Sequence, residues 1–330
     1  MTSSSQEVAL IIDSEASTYI KPTTMPMDKD SLNLLIEPAV DFGSLTRNAC
    51  DIQPYTDRQN WSNYFNMLNG PSYTELVKDL WVRAEAYDEE VAHREEYEKI
   101  LEDMSLEGKI REEMGLKELT GVEIRYAVMG IKVTITEVMI SRITCCRDNG
   151  LCFIGTEKLI KTSEWVSRIH KILFEGKDFK KCNHLRKEHR VLQKLMIMCF
   201  MPREGGTYYM SWDQKHFLLF LVKKCPINLP AYIFNHMCTS IREGIIGNKI
   251  VPYTRLISKI LYHGRLFQKL QDLGVTSHEE LGTWTGKVVN GTMLGFMKII
   301  RKKNVIISKD DLKLSVKTTE FLDDFPPISL

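Results

Sequence analysis

Apolar residues recur at helical spacing along most of the chain beyond Trp61, with short polar breaks between the runs. The first stripe follows Ser72 and Glu75, whose spacing is that of a capping box, and consists of Leu76, Val77, Leu80, Trp81, Ala84 and Tyr87. A later stripe ends before Pro202 and consists of Val191, Leu192, Leu195, Met196 and Cys199. Apolar positions spaced three and four residues apart are typical of amphipathic helices, so a mainly α fold is predicted.

The stretch from Cys225 to Gly264 carries start and stop signals for two helices. Asn228 is predicted to cap the first helix, and Pro230 falls in its first turn, where a missing N–H costs nothing. Pro252 has the same function at the start of the second helix, and Gly264 is predicted to end that helix.

One segment alternates between apolar and polar positions instead of following the helical period. Its apolar members are Val122, Ile124, Tyr126 and Val128 before the Met129-Gly130 pair, and Ile131, Val133 and Ile135 after it. Alternation with a period of two is typical of strands, and a break that contains glycine indicates a turn. The sequence therefore predicts a helical domain with one small β-hairpin near residues 121–136, followed by a short helix that Thr136 caps.

Three regions are predicted along the chain. Residues 1–58 are rich in Ser, Thr, Asp and Pro without a lasting period, which predicts a disordered or variable leader with a short helix near residues 31–36. Residues 59–305 form the mainly helical domain, and residues 306–330 are expected to be a loose C-terminal tail.

The composition excludes several classes of protein. The chain has 330 residues, of which 43% are hydrophobic, and its 44 basic residues balance 43 acidic ones. No run approaches the roughly 18 apolar residues of a membrane helix, and the N-terminus lacks the basic segment of a signal peptide. We therefore expect a soluble intracellular protein without membrane contact, in the nucleus or the cytoplasm, with reduced cysteines. Cys199 and Cys238 are expected in the core.

No catalytic or cofactor-binding motif is found. The chain lacks the Asp-Thr/Ser-Gly triplet of aspartic proteases, a Walker loop, a dinucleotide fingerprint and any Cys-x2-Cys pair for a closed zinc site. Cys182, His184 and His189 lie close together in sequence, but a solvated loop and the start of a helix account for them. We predict no enzyme, no cofactor and no metal, and no small-molecule substrate is evident.

Two stretches of opposite charge stand out against the balanced total. Residues 85–113 include 12 acidic and 4 basic residues, a net charge of −8, whereas residues 158–203 include 12 basic and 4 acidic ones, a net of +8. Five cations crowd one predicted loop, namely Lys177, Lys180, Lys181, Arg186 and Lys187. Such a loop could neutralise nucleic-acid phosphates, or it could face the acidic stretch of the same domain. Few aromatic residues lie among these cations along the chain, which argues against base stacking.

Several blocks resemble the plant transposon protein domain family, which is found in the products of plant LTR retroelements and in loosely related envelope-like open reading frames. The resemblance covers about residues 61–303 and is carried by GVEIRYAVMGIKVTITEVMISRI, HRVLQKLMIMCF, INLPAYIF, HMC, VPYTRLISKIL and LGTWTGKVVNG. It implies a retroelement origin and no established biochemical activity.

The sequence thus predicts a non-catalytic, retrotransposon-derived protein that acts by binding or assembly, with self-association or nucleic acid as the partners. The alternative is a nucleic-acid-binding accessory protein of a retroelement that works through residues 158–203.

Overall fold

The computed structural model describes residues 24–128, 131–154, 163–176, 178–205, 208–263, 266, 282 and 286–312. Within these residues the fold is mainly α with small β elements, as the sequence predicts. The helices, numbered in chain order, are α1 Phe42–Arg47, α2 Gln53–Asp57, α3 Ser62–Met67, α4 Thr74–Arg83, α5 Glu89–Glu102, α6 Glu137–Thr144, α7 Ser163–Leu173, α8 Lys187–Leu195, α9 Trp212–Val222, α10 Leu229–Ile245, α11 Thr254–His263 and α12 Gly291–Phe296.

Short helical turns lie between several of these helices. The 3-10 turns are Lys29–Ser31, Met104–Leu106, Cys182–His184 and Lys302–Asn304. A π-helical turn, Met196–Phe200, directly continues α8, so that the apolar stripe predicted on this segment is buried through Cys199.

The strands are short, and most pair with segments far away in sequence. They are β1 Asn33–Leu34, β2 Ala39–Val40, β3 Glu85–Tyr87, β4 Glu123–Val128, β5 Ile131–Ile135, β6 Ile250–Val251 and β7 Val288–Val289. The predicted hairpin is confirmed as the antiparallel pair β4–β5, in which Ile124 faces Ile135. β3 adds an antiparallel third strand on the other side of β4, and parallel pairs join β1 to β6 and β2 to β7.

The prediction for the helix around Trp81 is wrong at both ends. α4 begins at Thr74 with Tyr73 as its N-cap residue, so Ser72 lies one residue before the position that a capping box with Glu75 requires. Instead the Tyr73 N–H donates to Ser258 Oγ at 2.9 Å, which ties this helix start to α11. The helix stops at Arg83, and β3 follows because residues 85–87 pair with β4.

The predicted N-caps Thr136 and Asn228 are confirmed, whereas Pro252 lies two residues before α11 instead of in its first turn. Asn228 Oδ1 accepts a hydrogen bond from the Ala231 N–H at 2.9 Å, and Thr136 Oγ1 accepts from Met139 N–H at 3.2 Å. α11 is described as far as His263, and the predicted stop at Gly264 lies outside the described residues. These signals act within one helical turn, which is why the local sequence suffices to find them.

The predicted leader extends too far. Residues 24–58 belong to the folded core, because β1 and β2 pair with β6 and β7 and because Leu32, Leu45 and Ile52 are buried. The predicted helix near residues 31–36 is replaced by the 3-10 turn Lys29–Ser31, which Asp28 caps, and by β1. Residues 1–23 lie outside the described residues.

The start of the predicted tail is also attached to the fold. The Asn48 side chain makes two hydrogen bonds to the Ile306 backbone, donating to its carbonyl at 2.9 Å and accepting from its N–H at 2.7 Å. Arg47 forms an ion pair with Asp311. Residues 306–312 therefore pack against α1, and the rest of the predicted tail lies outside the described residues.

The core is one continuous cluster of apolar side chains that runs through nearly all of these helices. Its centre is aromatic: the ring of Phe200 contacts those of Trp61, Tyr64, Phe65 and Phe217 at centroid distances of 4.7 to 5.8 Å. Cys199 and Cys238 are buried, as predicted. Among the described residues, no helix is both long and apolar enough to cross a membrane.

Candidate nucleic-acid interface

The loop between α7 and α8 carries the predicted cations, and backbone hydrogen bonds fix its base. Phe174 and Leu185 form an antiparallel bridge, and the Glu175 N–H donates to the His184 carbonyl at 2.9 Å. The Arg186 N–H donates to the Leu173 carbonyl at 3.2 Å, so the two helices leave the loop from a common point. The cations are therefore displayed on a closed loop rather than on a loose connection.

Three of the five predicted cations are exposed in the structure. Lys180, Arg186 and Lys187 are exposed, and none of them forms an ion pair with a side chain that the structure describes. Lys181 is half-buried, and its Nζ lies 2.9 Å from Asp178 Oδ2. Lys177 lies outside the described residues.

Asp178 organises the tip of the loop and neutralises part of its charge. One of its oxygens accepts from the Lys180 N–H at 3.1 Å, while the other pairs with Lys181. Its hydrogen bond to Lys181 holds the pKa of the Asp178 carboxyl below its usual value, and the same contact raises the pKa of Lys181. Lys181 thus brings less free charge to the surface than Lys180 does.

Arg186 and Lys187 occupy the positions where a helix least favours cations. Arg186 is the N-cap residue of α8, Lys187 is its first residue, and no side chain caps this end. The positive end of the helix dipole repels cations here by about 0.3–1 kcal/mol each. Helix stability therefore does not account for these two side chains, whereas a bound anion would be attracted by the cations and by the helix end alike.

Two aromatic side chains from another segment join the loop. Lys181 and Tyr209 form an antiparallel bridge, the Cys182 N–H donates to the Tyr208 carbonyl at 2.8 Å, and the Met210 N–H donates to the Lys180 carbonyl at 3.2 Å. Tyr208 and Tyr209 are 47% and 55% exposed. This pair lies more than 20 residues from the cations along the chain, so the sequence around the cations gives no sign of it.

The loop packs against a cluster of aromatic residues through Phe179. The Phe179 ring stacks on His170 with centroids 4.2 Å apart and planes 11° apart, and it remains 37% exposed. Lys215 is buried among these rings, with Nζ 4.5 Å from the Trp212 ring centroid. Burial lowers the pKa of Lys215, and the neighbouring charge of Lys180 lowers it further.

The acidic stretch uses other partners. Glu95 pairs with Arg111 and Arg125, and Asp88 pairs with Arg242 at 2.7 Å. Among the described side chains, no ion pair joins residues 85–113 to residues 163–203. The alternative that the basic segment faces the acidic stretch therefore has no ion pair among these side chains to support it, and it stays a prediction.

Comparisons with family models, curated proteins and solved structures find no match to this chain.

Two further basic residues of the segment serve the fold. Arg190 Nη2 donates to the Met297 carbonyl at 2.7 Å, and Arg203 Nη2 donates to the Tyr209 carbonyl at 3.1 Å. Arg190 thereby attaches α8 to the end of α12, and Arg203 holds the backbone that carries the exposed tyrosines. Lys158 and Lys161, which the prediction includes, lie outside the described residues.

The loose group of Cys182, His184 and His189 is built into the same fold. Cys182 and His189 are buried, and His189 Nδ1 lies 3.1 Å from the Leu173 carbonyl. The buried environment lowers the pKa of His189 and raises that of the Cys182 thiol. Across the described residues, no three side chains of the types His, Cys, Asp and Glu are grouped to hold a metal ion.

Proposed function

We propose that this protein is a non-catalytic binding protein that contacts the phosphates of nucleic acid through Lys180, Lys181, Arg186 and Lys187. The observation that carries the proposal is the placement of exposed cations, without an ion pair to any described side chain, at the start of α8, where they do not stabilise the helix. Each bound phosphate releases condensed counterions, so that binding of this kind needs no particular base sequence.

The groups displayed at the loop suit binding rather than chemistry. Exposed lysine and arginine side chains are protonated at neutral pH and hold anions, and tyrosine rings offer flat apolar faces. The resemblance of the sequence blocks to the plant transposon protein domain supports a retroelement origin, in which a nucleic-acid-binding accessory protein has an evident use. Both the origin and the absence of catalysis are part of the proposal.

Charge reversal at the loop tests the phosphate contacts. We expect the triple variant Lys180→Glu, Arg186→Glu, Lys187→Glu of the full chain to bind oligonucleotides at least about ten-fold more weakly at low salt. The slope of log Kd against log salt should fall by about 0.7–0.9 for each phosphate that the variant no longer neutralises. Glutamates near the start of a helix are favourable, so we expect the fold to tolerate the change. Fluorescence anisotropy of labelled single and double strands across a salt series measures both quantities.

A triple variant with the same change of net charge is the control. Lys109, Lys249 and Lys309 are exposed and lie outside the loop, so their replacement by glutamate should leave affinity within about two-fold if the loop is the site. Equal losses of affinity in both variants would mean that only net charge matters, and the proposed site would then be rejected.

Self-association is the second candidate, because one helix leaves an apolar surface uncovered. α5 buries only Ala92 among its residues, while Tyr97, Leu101, Met104 and Ile110 are between 61% and 65% exposed. Carboxylates surround these side chains, since this is the stretch with a net charge of −8. The basic loop of a second copy has the complementary charge, which makes it the partner that this surface fits.

Light scattering at several salt concentrations tests this association. We expect a dimer at low ionic strength that dissociates as salt rises, because the complementary charges are screened. The double variant Leu101→Gln, Met104→Gln should remain monomeric, whereas Ile246→Gln, which removes an 85% exposed isoleucine elsewhere, should not alter the dimer. A chain that stays monomeric at low salt and high concentration would rule this candidate out.

A further inference from the structure

Tyr208 and Tyr209 are exposed and do not belong to the apolar core. Tyr208 and Tyr209 contact each other with ring centroids 5.0 Å apart and planes at 89°, and both residues are about half exposed. Their backbone, in contrast, is firmly held by the bridge to Lys181 and by the hydrogen bonds of Cys182 and Met210. Because the backbone that carries these rings is already fixed by hydrogen bonds, little backbone entropy would be lost on binding.

Cations lie directly beside these rings. Lys181 Nζ is 5.8 Å from the Tyr208 ring centroid, and Lys180 directly precedes the bridge between Lys181 and Tyr209. The Phe179 ring, which is backed by His170, is exposed one residue earlier. The loop and the segment bridged to it thus display both exposed rings and positive charges, which are the two features that bind a single strand, with bases on the rings and phosphates on the cations.

We infer that the loop binds single-stranded nucleic acid in preference to duplex, with unpaired bases stacking on Tyr208, Tyr209 and Phe179. The inference rests on the proposed function and deepens it, because it adds the class of nucleic acid to the phosphate contacts. In a duplex each base is already stacked between its neighbours, so these rings gain nothing from it. Ring stacking does not read a donor and acceptor pattern, so little sequence preference is expected.

The test compares an oligodeoxythymidine strand, the same strand without its bases, and a duplex of equal length. We expect the full chain to bind the intact strand at least about ten-fold more tightly than the abasic strand. The double variant Tyr208→Leu, Tyr209→Leu keeps apolar bulk but removes the flat rings, so its affinity for the intact strand should fall by about ten-fold or more. Its affinity for the duplex and for the abasic strand should be unchanged.

The double variant Tyr208→Phe, Tyr209→Phe is the matched control, because it keeps the rings and loses only the hydroxyl groups. It should retain the affinity of the unaltered protein, and circular dichroism should show all variants folded alike. If the leucine variant binds the single strand as tightly as the unaltered protein does, stacking is refuted while the phosphate contacts stand. If the unaltered protein binds none of the three probes at low salt, the proposed function fails and the inference fails with it.

Discussion

Arg255→Met is expected to lower the free energy of unfolding by about 2–6 kcal/mol, because it leaves two buried carbonyls unpaired at about 1–3 kcal/mol each. The Arg255 side chain is buried, and Nη1 donates to the carbonyls of Glu37 and Leu68 at 2.6 and 2.5 Å. Methionine has a similar shape but no donor. The substitution would leave two buried carbonyls unpaired and would remove the cation that faces the buried Glu37. Urea unfolding followed by tryptophan fluorescence measures the loss of stability.

Glu37 links the start of α11 to a segment far away in sequence. Its two carboxyl oxygens accept from the Arg255 and Leu256 N–H groups at 2.7 and 3.2 Å, which caps the first turn of α11 from a distant segment. Burial raises the pKa of this carboxyl, while the hydrogen bonds and Arg255 oppose that effect. Glu37→Gln should cost less than Arg255→Met, about 1–3 kcal/mol, because an amide nitrogen would face one of the N–H donors.

The double variant and an exposed pair provide the controls. Glu37→Gln with Arg255→Met should destabilise the fold by less than the sum of the single effects, by about 0.5–3 kcal/mol, because the two residues belong to one network. Arg242→Met removes a pair with Asp88 of good geometry but partial exposure, and should cost no more than about 1 kcal/mol. Additive effects at Glu37 and Arg255 would show that the two groups act independently.

The elements that sequence predicts correctly are those with local causes. Asn228 caps α10 through an atom three residues away, and the β4–β5 pair joins strands separated by a two-residue break. In each case the interacting groups lie within a few positions of each other, so residue spacing alone describes the contact. The same holds for the cations of the α7–α8 loop, whose density is visible along the chain.

The elements that sequence misses have causes elsewhere in the chain. β1 and β2 contain two residues each and exist because β6 and β7, more than 200 residues away, supply their hydrogen bonds. The composition of this segment, rich in Ser, Asp and Pro, therefore predicts disorder, although pairing with distant strands orders it. The candidate site shows the same division. Its cations lie close together in sequence, whereas Tyr208 and Tyr209 come next to them only through the bridge between Lys181 and Tyr209.

Gly150→Ala is expected to be strongly disruptive for the addition of a single methyl group, because two backbone segments meet there. An added Cβ would lie 2.9 Å from each of three backbone atoms, Pro226 O, Ile227 C and Asn228 N. Gly150 also has a φ of +148°, which residues other than glycine rarely adopt. Strain of about 1–3 kcal/mol from the conformation and about 1–3 kcal/mol from the clash predict a marked drop in thermal stability.

Gly247→Ala separates these two causes, since Gly247 has a φ of +108° and no atom within 4 Å of the added Cβ. It should show only the conformational part of the destabilisation, and calorimetry of both variants gives the difference. The close approach at Gly150 exists because Leu151 pairs with the chain just before α10, where its N–H donates to the Pro226 carbonyl at 2.9 Å and its carbonyl accepts from the Asn228 N–H at 3.2 Å. Equal destabilisation at the two glycines would mean that this junction can separate, and that α10 does not depend on it for its start.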